Sequence, residues 1–468
     1  MPWTRRRAPL RHRAQSAVRV DFMSRRPRPR VRHVTGSARL ARSAAVAFAV
    51  STLVGLTGLT GCTNGPTEEP VDTTGLTTSE TSAGAASSHP GDPTSTGDPT
   101  SSESPPPDTD SSASPTGIAT ESSCLDRTLA EMSPDERLGQ LFMVGLVPDE
   151  APEGVDSAIA RHRVGGVIYF GEWDKGAAKV RSVSAHLQEV ATGPVDLFIA
   201  ADQEGGSVQR LTGPGFSTIP AALTQGRSSA TDLTAGAART GRELSNSGVN
   251  VDLAPVADTV PPDATSSNDP IGRWRREYGT DVDTVSGAVT SVIDGLQSVG
   301  VVAAVKHFPG LGRVTGNTDL TATGIVDEVT TTSDEYLGPF AAGMAADVGM
   351  VMVSSAFYPK IDPDNQAMFS KAVVGDLLRD QMGWDGVVIT DDVGWAKAVS
   401  QVPVGDRAVR FLAAGGDIVL TAEATQIPTM LAAVRDRAET DSDFADQLTA
   451  AERRVVALKQ RFGLVKCH

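Results

Sequence analysis

The sequence predicts an α/β fold for residues 124–468, namely a single (β/α)8 barrel of the TIM type. Eight short runs of apolar and β-branched residues recur along this segment, and amphipathic stretches separate them. Each run is bounded by glycine, proline or polar residues, as expected for strands buried on both faces of a parallel sheet. The 345 residues suffice for one large core. Eight such strands with crossover helices favour a closed barrel over an open sheet.

The predicted strands and helices alternate along the chain. The strand candidates are GQLFMVGL (139–146), GGVIYF (165–170), VDLFIAAD (195–202), NVDLAPVAD (250–258), VVAAVKHF (301–308), GMVMVSS (349–355), GVVITDD (386–392) and GDIVLTA (416–422). The helical candidates include 179–190, 283–299, 370–381 and 428–437, with a terminal helix that reaches 462. Since nothing of domain size follows the eighth strand, one catalytic domain is expected.

Polar residues stand where several predicted strands end. They are Asp202, Gln203 and Glu204 after the third strand, Asp258 at the fourth, Lys306 and His307 at the fifth, and Asp391 and Asp392 at the seventh. In a barrel these strand ends meet on one rim, which is where barrel enzymes build their active sites. We therefore expect these side chains to share one site.

The net charge of −15 averages over three unlike segments. Residues 1–61 hold 13 Arg and one acid, residues 63–123 hold ten acids and no Lys or Arg, and residues 124–468 carry a net charge of −17. An acidic folded domain argues against nucleic-acid binding, because phosphate neutralisation needs a basic face.

Residues 1–61 are predicted to be an export signal. The uncharged apolar run 44–56 is too short to span a bilayer comfortably and follows an Arg-rich stretch. The segment LTGC that ends at Cys62 resembles the lipobox of bacterial lipoproteins, which implies a lipid on Cys62 and a membrane anchor facing the cell wall. The alternative is a free cysteine after an ordinary secretory signal. Because the basic part is longer than a signal needs, Met23 is an alternative start of translation.

Residues 62–123 consist mainly of Ser, Thr, Pro, Gly and acids. With almost no bulky apolar side chain, nothing offsets the entropy of ordering them, so we expect a disordered tether. The alternative is a linker that plays no part in setting the distance between the folded domain and the membrane. Cys124 and Cys467 stand at the two ends of the folded part, and disulfides persist outside the cytoplasm. A bridge between them is one expectation, and two unpaired thiols are the other.

The residue inventory narrows the chemistry. The folded part has no histidine or cysteine spacing of a metal site, no phosphate-binding glycine loop and no nucleophile elbow, so neither metal nor cofactor is expected. What remains is a set of carboxylates, together with Lys306, His307, Arg210 and the arginines near 273–276. A carboxylate nucleophile with a proton donor is the machinery of glycoside hydrolysis.

Four strings resemble family 3 glycoside hydrolases, and most of all the single-domain β-N-acetylhexosaminidase branch. They are IAADQEGGSVQRLTGPG (199–215), NVDLAPVADT (250–259), VVAAVKHFPGLGR (301–313) and GVVITDD (386–392). The likeness extends over residues 130–465 in the family's order. It implies the same barrel and a retaining exo-β-N-acetylglucosaminidase acting on cell-wall muropeptides or related β-glycosides, with a role in peptidoglycan recycling.

The resemblance also implies roles for particular residues. Asp391 matches the nucleophile, the alternative being a helix N-cap, and Asp392 is given a capping or structural role. The substrate-binding residues that match are Asp202, Arg210, Lys306, His307 and Arg276. Arg276 fits the register of the sugar-binding arginine, with Arg273 and Arg275 as rivals.

One motif departs from the resemblance. The hexosaminidase branch has a His after the Pro-Gly step and an Asp-Ser-His whose His is the acid/base, but this sequence has Leu311 and Asn317-Thr318-Asp319. Asp319 replaces that His, and a carboxylic acid of raised pKa can protonate a leaving oxygen. The alternatives are a loop-ordering Asp319, a β-glucosidase or other exo-glycosidase, or a sugar-binding lipoprotein that has lost catalysis.

Overall fold

The computed structural model describes residues 123–148 and 153–466, and its centre is an eight-stranded parallel barrel. The strands are β1 (Phe142–Leu146), β2 (Gly166–Tyr169), β3 (Phe198–Ala201), β4 (Val251–Asp252), β5 (Val302–Phe308), β6 (Met350–Val353), β7 (Val387–Thr390) and β8 (Val419–Thr421). Neighbours in the chain pair with each other from β1 to β7, and β8 pairs with β1. A parallel bridge between Ile389 and Ile418 joins β7 to the segment of β8 and completes the ring. The predicted barrel is confirmed.

Helices surround the barrel in the expected alternation. They are α1 (Cys124–Glu131), α2 (Pro134–Gly139), α3 (Glu153–His162), α4 (Ala177–Val190), α5 (Ala222–Gln225), α6 (Ala230–Asn246), α7 (Val282–Gln297), α8 (Gly338–Ala345), α9 (Val404–Ala413), α10 (Ile427–Thr440) and α11 (Ser442–Arg461). The crossover between β6 and β7 is a π-helical segment, Ala372–Gln381.

Helix α7 illustrates how local sequence produces these crossovers. Asp281 caps its start by accepting a hydrogen bond from the Thr284 N–H at 2.8 Å, which satisfies one of the free donors of the first turn. Val285, Val289 and Ile293 recur at helical spacing and are fully buried. That stripe packs the helix on the barrel, as the 3.6-residue period requires.

The fourth strand is shorter than predicted. Only Val251–Asp252 forms a regular ladder, although residues 250–258 read as one strand. Pro255 lacks an N–H and cannot donate to a ladder, and pairing beyond it consists of a bridge from Val256 to Lys306. The chain thereby leads Asp258 towards β5.

The predictions for residues 1–122, including the export signal, the lipidated Cys62 and most of the tether, lie outside the described residues. No helix in the described part of the chain is long and apolar enough to cross a membrane. Cys124 begins α1 and is disulfide-bonded. Cys467 lies outside the described residues, so its pairing with Cys124 stays a prediction. Val465, two residues before it, packs in one apolar cluster with Leu125 of α1.

Candidate active site

A cavity of about 480 Å³ opens at the C-terminal ends of the barrel strands. Every catalytic and substrate-binding residue expected from the sequence lines it, namely Asp202, Arg210, Arg276, Lys306, His307, Asp319 and Asp391. Buried side chains of the strands and their ends, among them Ile168, Met352 and Leu420, line the same cavity. This is the position at which barrel enzymes carry their chemistry.

A buried ion network supports one side of the cavity. Lys306 Nζ lies 2.6 Å from Asp202 Oδ1 and 2.7 Å from Glu204 Oε1. Arg276 binds Glu204 through two atoms, with Nε 2.8 Å from Oε2 and Nη2 2.7 Å from Oε1. Burial alone would disfavour the charge on Glu204, but Arg276 and Lys306 outweigh it and hold the pKa of Glu204 below its usual range. All three groups are therefore charged in the folded protein.

Asp258 orients His307. Its Oδ2 lies 2.7 Å from His307 Nδ1, and its Oδ1 accepts the backbone N–H groups of His307 and Leu311 at 3.2 and 2.7 Å. A carboxylate beside Nδ1 fixes a proton on that nitrogen and leaves Nε2 for other partners. Nε2 lies 3.5 Å from Arg276 Nη2, so the imidazole and the guanidinium stand side by side in the cavity.

Asp391 follows β7 and keeps a carboxylate oxygen available. Oδ1 accepts the Asp392 N–H at 2.8 Å, while Oδ2 accepts no hydrogen bond from the described residues. Asp392 accepts the N–H groups of Gly394, Trp395 and Ala422 at 2.7 to 2.8 Å. No helix begins at either residue, because the next helical turn is Lys397–Val399 with Ala396 at its N-cap; Asp392 instead binds the loop backbone, and Asp391 keeps one oxygen free.

Asp319 reaches the cavity from the loop after β5. Its backbone is fixed, because the Lys397 N–H donates to Asp319 O at 3.2 Å and Asn317 Oδ1 accepts the Asp319 N–H at 2.9 Å. Its carboxylate accepts no hydrogen bond from the described residues. The geometry does not favour the loop-ordering alternative, since that role would require the carboxylate to bind backbone donors.

The two carboxyl groups share one electrostatic environment. Loss of hydration raises the pKa of Asp391, and the negative charge of Asp319 raises it further, against His307 and Lys306. Loss of hydration likewise raises the pKa of Asp319, against Arg276 and His307, although the side chain is exposed at the mouth of the open cavity. The pKa values of both carboxyl groups are therefore raised and their titrations are coupled, while the N–H that Asp391 accepts favours the ionised form of that residue.

The three arginines considered for the sugar-binding position have different partners in the structure. Arg276 is held in the cavity by Glu204, whereas Arg273 pairs with Asp269 and Arg275 binds Thr224 at the surface. Arg276 is therefore the arginine of this site.

Arg210 differs from the other cations of the cavity. Its buried Nε–H has no hydrogen-bond partner in the described part of the chain. An N–H group at a ligand cavity that makes no hydrogen bond within the protein is available to a substrate oxygen.

Sequence reasoning left the role of Glu204 unassigned, although the residue stands in the quoted DQEGG string. It also gave no role to Trp274 and Trp395, which line the cavity. The signal for Glu204 was its position two residues after Asp202, on the hairpin Gln203–Gly205 with Val208–Gln209. No group of three or more His, Cys, Asp or Glu among the described residues is arranged to hold a metal ion.

A parallel barrel whose mouth brings together two carboxyl groups and a set of hydrogen-bond donors and acceptors has the arrangement that glycoside hydrolases use. The family model for the glycosyl hydrolase family 3 N-terminal domain matches residues 133–458. The chain therefore belongs to glycosyl hydrolase family 3.

Known members with similar sequences are β-hexosaminidases. The enzyme of Stenotrophomonas maltophilia is 31% identical over 304 residues, which cover 64% of this chain and 88% of that protein. That of Xylella fastidiosa is 33% identical over 281 residues, covering 58% and 81%. The crystal structure of a β-N-acetylhexosaminidase from Beutenbergia cavernae is 46% identical, with a TM-score of 0.69 over 71% of this chain and 99% of that chain. The chain is a glycoside hydrolase of the β-N-acetylhexosaminidase type.

Proposed function

We propose that this enzyme is a retaining exo-β-N-acetylglucosaminidase with Asp391 as nucleophile and Asp319 as general acid/base. The observation that carries the proposal is that the carboxyl groups of Asp391 and Asp319 line the same cavity in different surroundings. Asp391 has one free carboxylate oxygen and a second that accepts an N–H, which favours its ionised form, while no donor is bound to the Asp319 carboxyl; loss of hydration raises the pKa of both groups. A nucleophile must be ionised and an acid must hold its proton.

The reaction proceeds in two displacements. The Asp391 carboxylate attacks the anomeric carbon while the bond to the leaving oxygen breaks, and Asp319 gives that oxygen its proton. A glycosyl ester on Asp391 results, and Asp319 is now ionised. Asp319 then takes a proton from water as the water oxygen attacks the anomeric carbon. The ester bond breaks, Asp391 regains its electron pair, and the configuration is retained.

The remaining cavity residues hold the sugar in place. Lys306 and Asp202 present a donor and an acceptor 2.6 Å apart, a spacing suited to vicinal hydroxyl groups. His307 Nε2, Arg276 and the free Nε–H of Arg210 add further hydrogen bonds. The part of the cavity that is lined by buried strand residues receives the terminal sugar, which supports exo cleavage.

The proposed setting is the bacterial cell wall. The lipobox at Cys62 and the acidic segment 62–123 support an exported lipoprotein whose catalytic domain reaches muropeptides or related β-glycosides. Replacement of Cys62 by Ser should move the protein from the membrane fraction to the soluble fraction. Retention of Cys62→Ser in the membrane would contradict the anchor and leave the enzymatic proposal untouched.

Activity on two aryl glycosides tests the sugar. We expect turnover of aryl β-N-acetylglucosaminide by the wild type, little turnover of aryl β-glucoside, and loss of activity in Asp391→Asn. Preference for the glucoside would show a β-glucosidase. Binding of GlcNAc without any turnover would show a sugar-binding protein that has lost catalysis.

A further inference from the structure

Three exposed apolar side chains surround the mouth of the active-site cavity. Trp274, Trp395 and Leu320 expose 45%, 48% and 71% of their surface, and all three line the cavity. They are three of the five large apolar side chains that are exposed in the described part of the chain. Scattered exposed apolar residues are ordinary, but a cluster around a cavity marks a binding surface. We call these three residues the apolar rim.

The apolar rim lies beside the general acid. Leu320 follows Asp319 directly in the chain. The Asp319 loop is hydrogen-bonded to the segment after Trp395, with Lys397 N–H donating to Asp319 O at 3.2 Å and Ala398 N–H to Thr318 O at 3.0 Å. A general acid must reach the leaving oxygen, so the leaving group exits past Asp319 and meets the rim.

Both indoles are held in position from behind. The backbone N–H of Trp395 donates to Asp392 Oδ2 at 2.8 Å, which fixes the chain at this residue, and the indole ring meets Phe170 edge-on with centroids 5.9 Å apart. Trp274 ends the 3-10 turn Gly272–Trp274, and the Arg273 guanidinium lies 5.5 Å from its ring centroid. Side chains already held in place lose little entropy on binding a ligand.

We propose that the apolar rim is the binding site of the leaving-group sugar, a pyranose ring that stacks on Trp395 and Trp274. The inference rests on the proposed function, since a glycosidase must accommodate what it releases. A flat indole face fits the C–H face of a pyranose, and an aromatic side chain brings a large contact area to an interface. The rim thereby selects substrates whose leaving group is a sugar.

Two leaving groups of similar acidity test the rim, one with a ring and one without. Wild type, Trp395→Ala and Trp395→Phe are compared on N,N′-diacetylchitobiose and on trifluoroethyl β-N-acetylglucosaminide. We expect Trp395→Ala to lower kcat/KM at least about tenfold more for chitobiose than for the trifluoroethyl glycoside. Trp395→Phe should restore most of the loss, because it keeps an aromatic face. Trp274→Ala should show the same selectivity with a smaller change.

Val329→Ala is the matched control, since Val329 is 50% exposed but does not line the cavity. It should leave the ratio of the two substrates as in the wild type. Equal losses on both substrates in Trp395→Ala, or no loss on either, would overturn the rim proposal. Failure of the proposed function looks different, because the wild type would then turn over neither substrate. Fluorescence of the indoles in Asp391→Asn, titrated with chitobiose, would in that case still report whether a sugar binds the rim.

Discussion

Glu204 and Arg276 form a two-point ion pair at the base of the active site, with N–O distances of 2.7 and 2.8 Å. The same carboxylate also neutralises Lys306 at 2.7 Å. Glu204 thus holds two cations of the cavity in place. A buried carboxylate that serves two cations is costly to lose, because both charges remain in a site of low polarity.

The Glu204→Gln variant should therefore unfold more easily and bind substrate more weakly. We expect a loss of about 3 kcal/mol in the free energy of unfolding and a raised KM, both because Arg276 and Lys306 lose their anchor. Thermal unfolding and steady-state kinetics measure the two effects. Asp269→Asn is the control, because it breaks an exposed pair with Arg273, and such a pair contributes about 1 kcal/mol or less. Equal effects of the two variants would contradict the role of Glu204.

The loss of activity on replacing Asp319, the proposed proton donor, should depend on the leaving group. Asp319→Asn is expected to lower kcat/KM by about 10² to 10⁴-fold for a sugar leaving group, but far less for a dinitrophenyl group that departs without a proton. Kinetics with a series of leaving groups measure this. Uniform loss across the series would show that Asp319 is not the acid.

The pH profile gives an independent reading of the same residue. In the proposed mechanism Asp319 keeps its proton, and its pKa is raised by loss of hydration with help from the charges of Asp392 and Asp202. Activity of the wild type should fall as pH rises through that pKa, above the ordinary range of an aspartate. The alkaline limb should disappear in Asp319→Asn, measured as kcat/KM against pH. An unchanged alkaline limb in the variant would assign it to another group.

Buried Asp252 should make stability depend on pH. Loss of hydration raises its pKa from 3.8 to about 7, although the Gln203 N–H and Lys306 oppose the shift. Between these values the folded protein holds a proton that the unfolded chain has released, so this group costs stability as pH rises through that window. We therefore expect the difference in Tm between Asp252→Asn and the wild type to be more favourable to the variant at about pH 8 than at about pH 4.

Asn at this position can still accept the Gln203 N–H, which keeps the comparison clean. The exposed Asp436→Asn is the control and should show no such trend. A wild-type-to-variant difference in Tm that does not change with pH would contradict the buried, proton-holding state of Asp252.

The two ends of the catalytic domain offer a covalent test. If Cys124 and Cys467 are bridged, reduction should add the mass of two hydrogens and unblock two thiols in the mature protein. Intact-mass spectrometry with and without reductant measures this. Removal of the bridge in Cys467→Ser should cost about 2 to 5 kcal/mol of stability. Two free thiols in the unreduced protein would contradict the pairing.

The barrel was predictable because each strand is encoded locally. Runs such as VVAAVKHF and GMVMVSS are apolar and β-branched throughout, and burial on both faces of a parallel strand selects that pattern. Strand ends were less predictable, as Pro255 shows in the fourth strand. The π-helical geometry of the crossover Ala372–Gln381 has no local signature in the sequence.

The position of both cavity carboxylates was predictable because they follow strands or replace a residue within a known string. Asp391 stands directly after β7, and Asp319 takes the place of a missing His. Trp274 and Trp395 were not identified as binding residues, because their exposure depends on how three separate loops fold over the rim. The sequence favoured Arg276 by its register but left Arg273 and Arg275 as rivals. The structure distinguishes Arg276 by its ion pair with Glu204.

Covalent trapping on Asp391 tests the central claim most directly. A fluoro-sugar analogue of N-acetylglucosamine slows release of the glycosyl-enzyme, so the intermediate accumulates and can be digested and sequenced by mass spectrometry. The account predicts one added sugar on the peptide that contains Thr390 and Asp391, and no label in Asp391→Asn. Label on another carboxylate, or rapid turnover in Asp391→Asn, would contradict it.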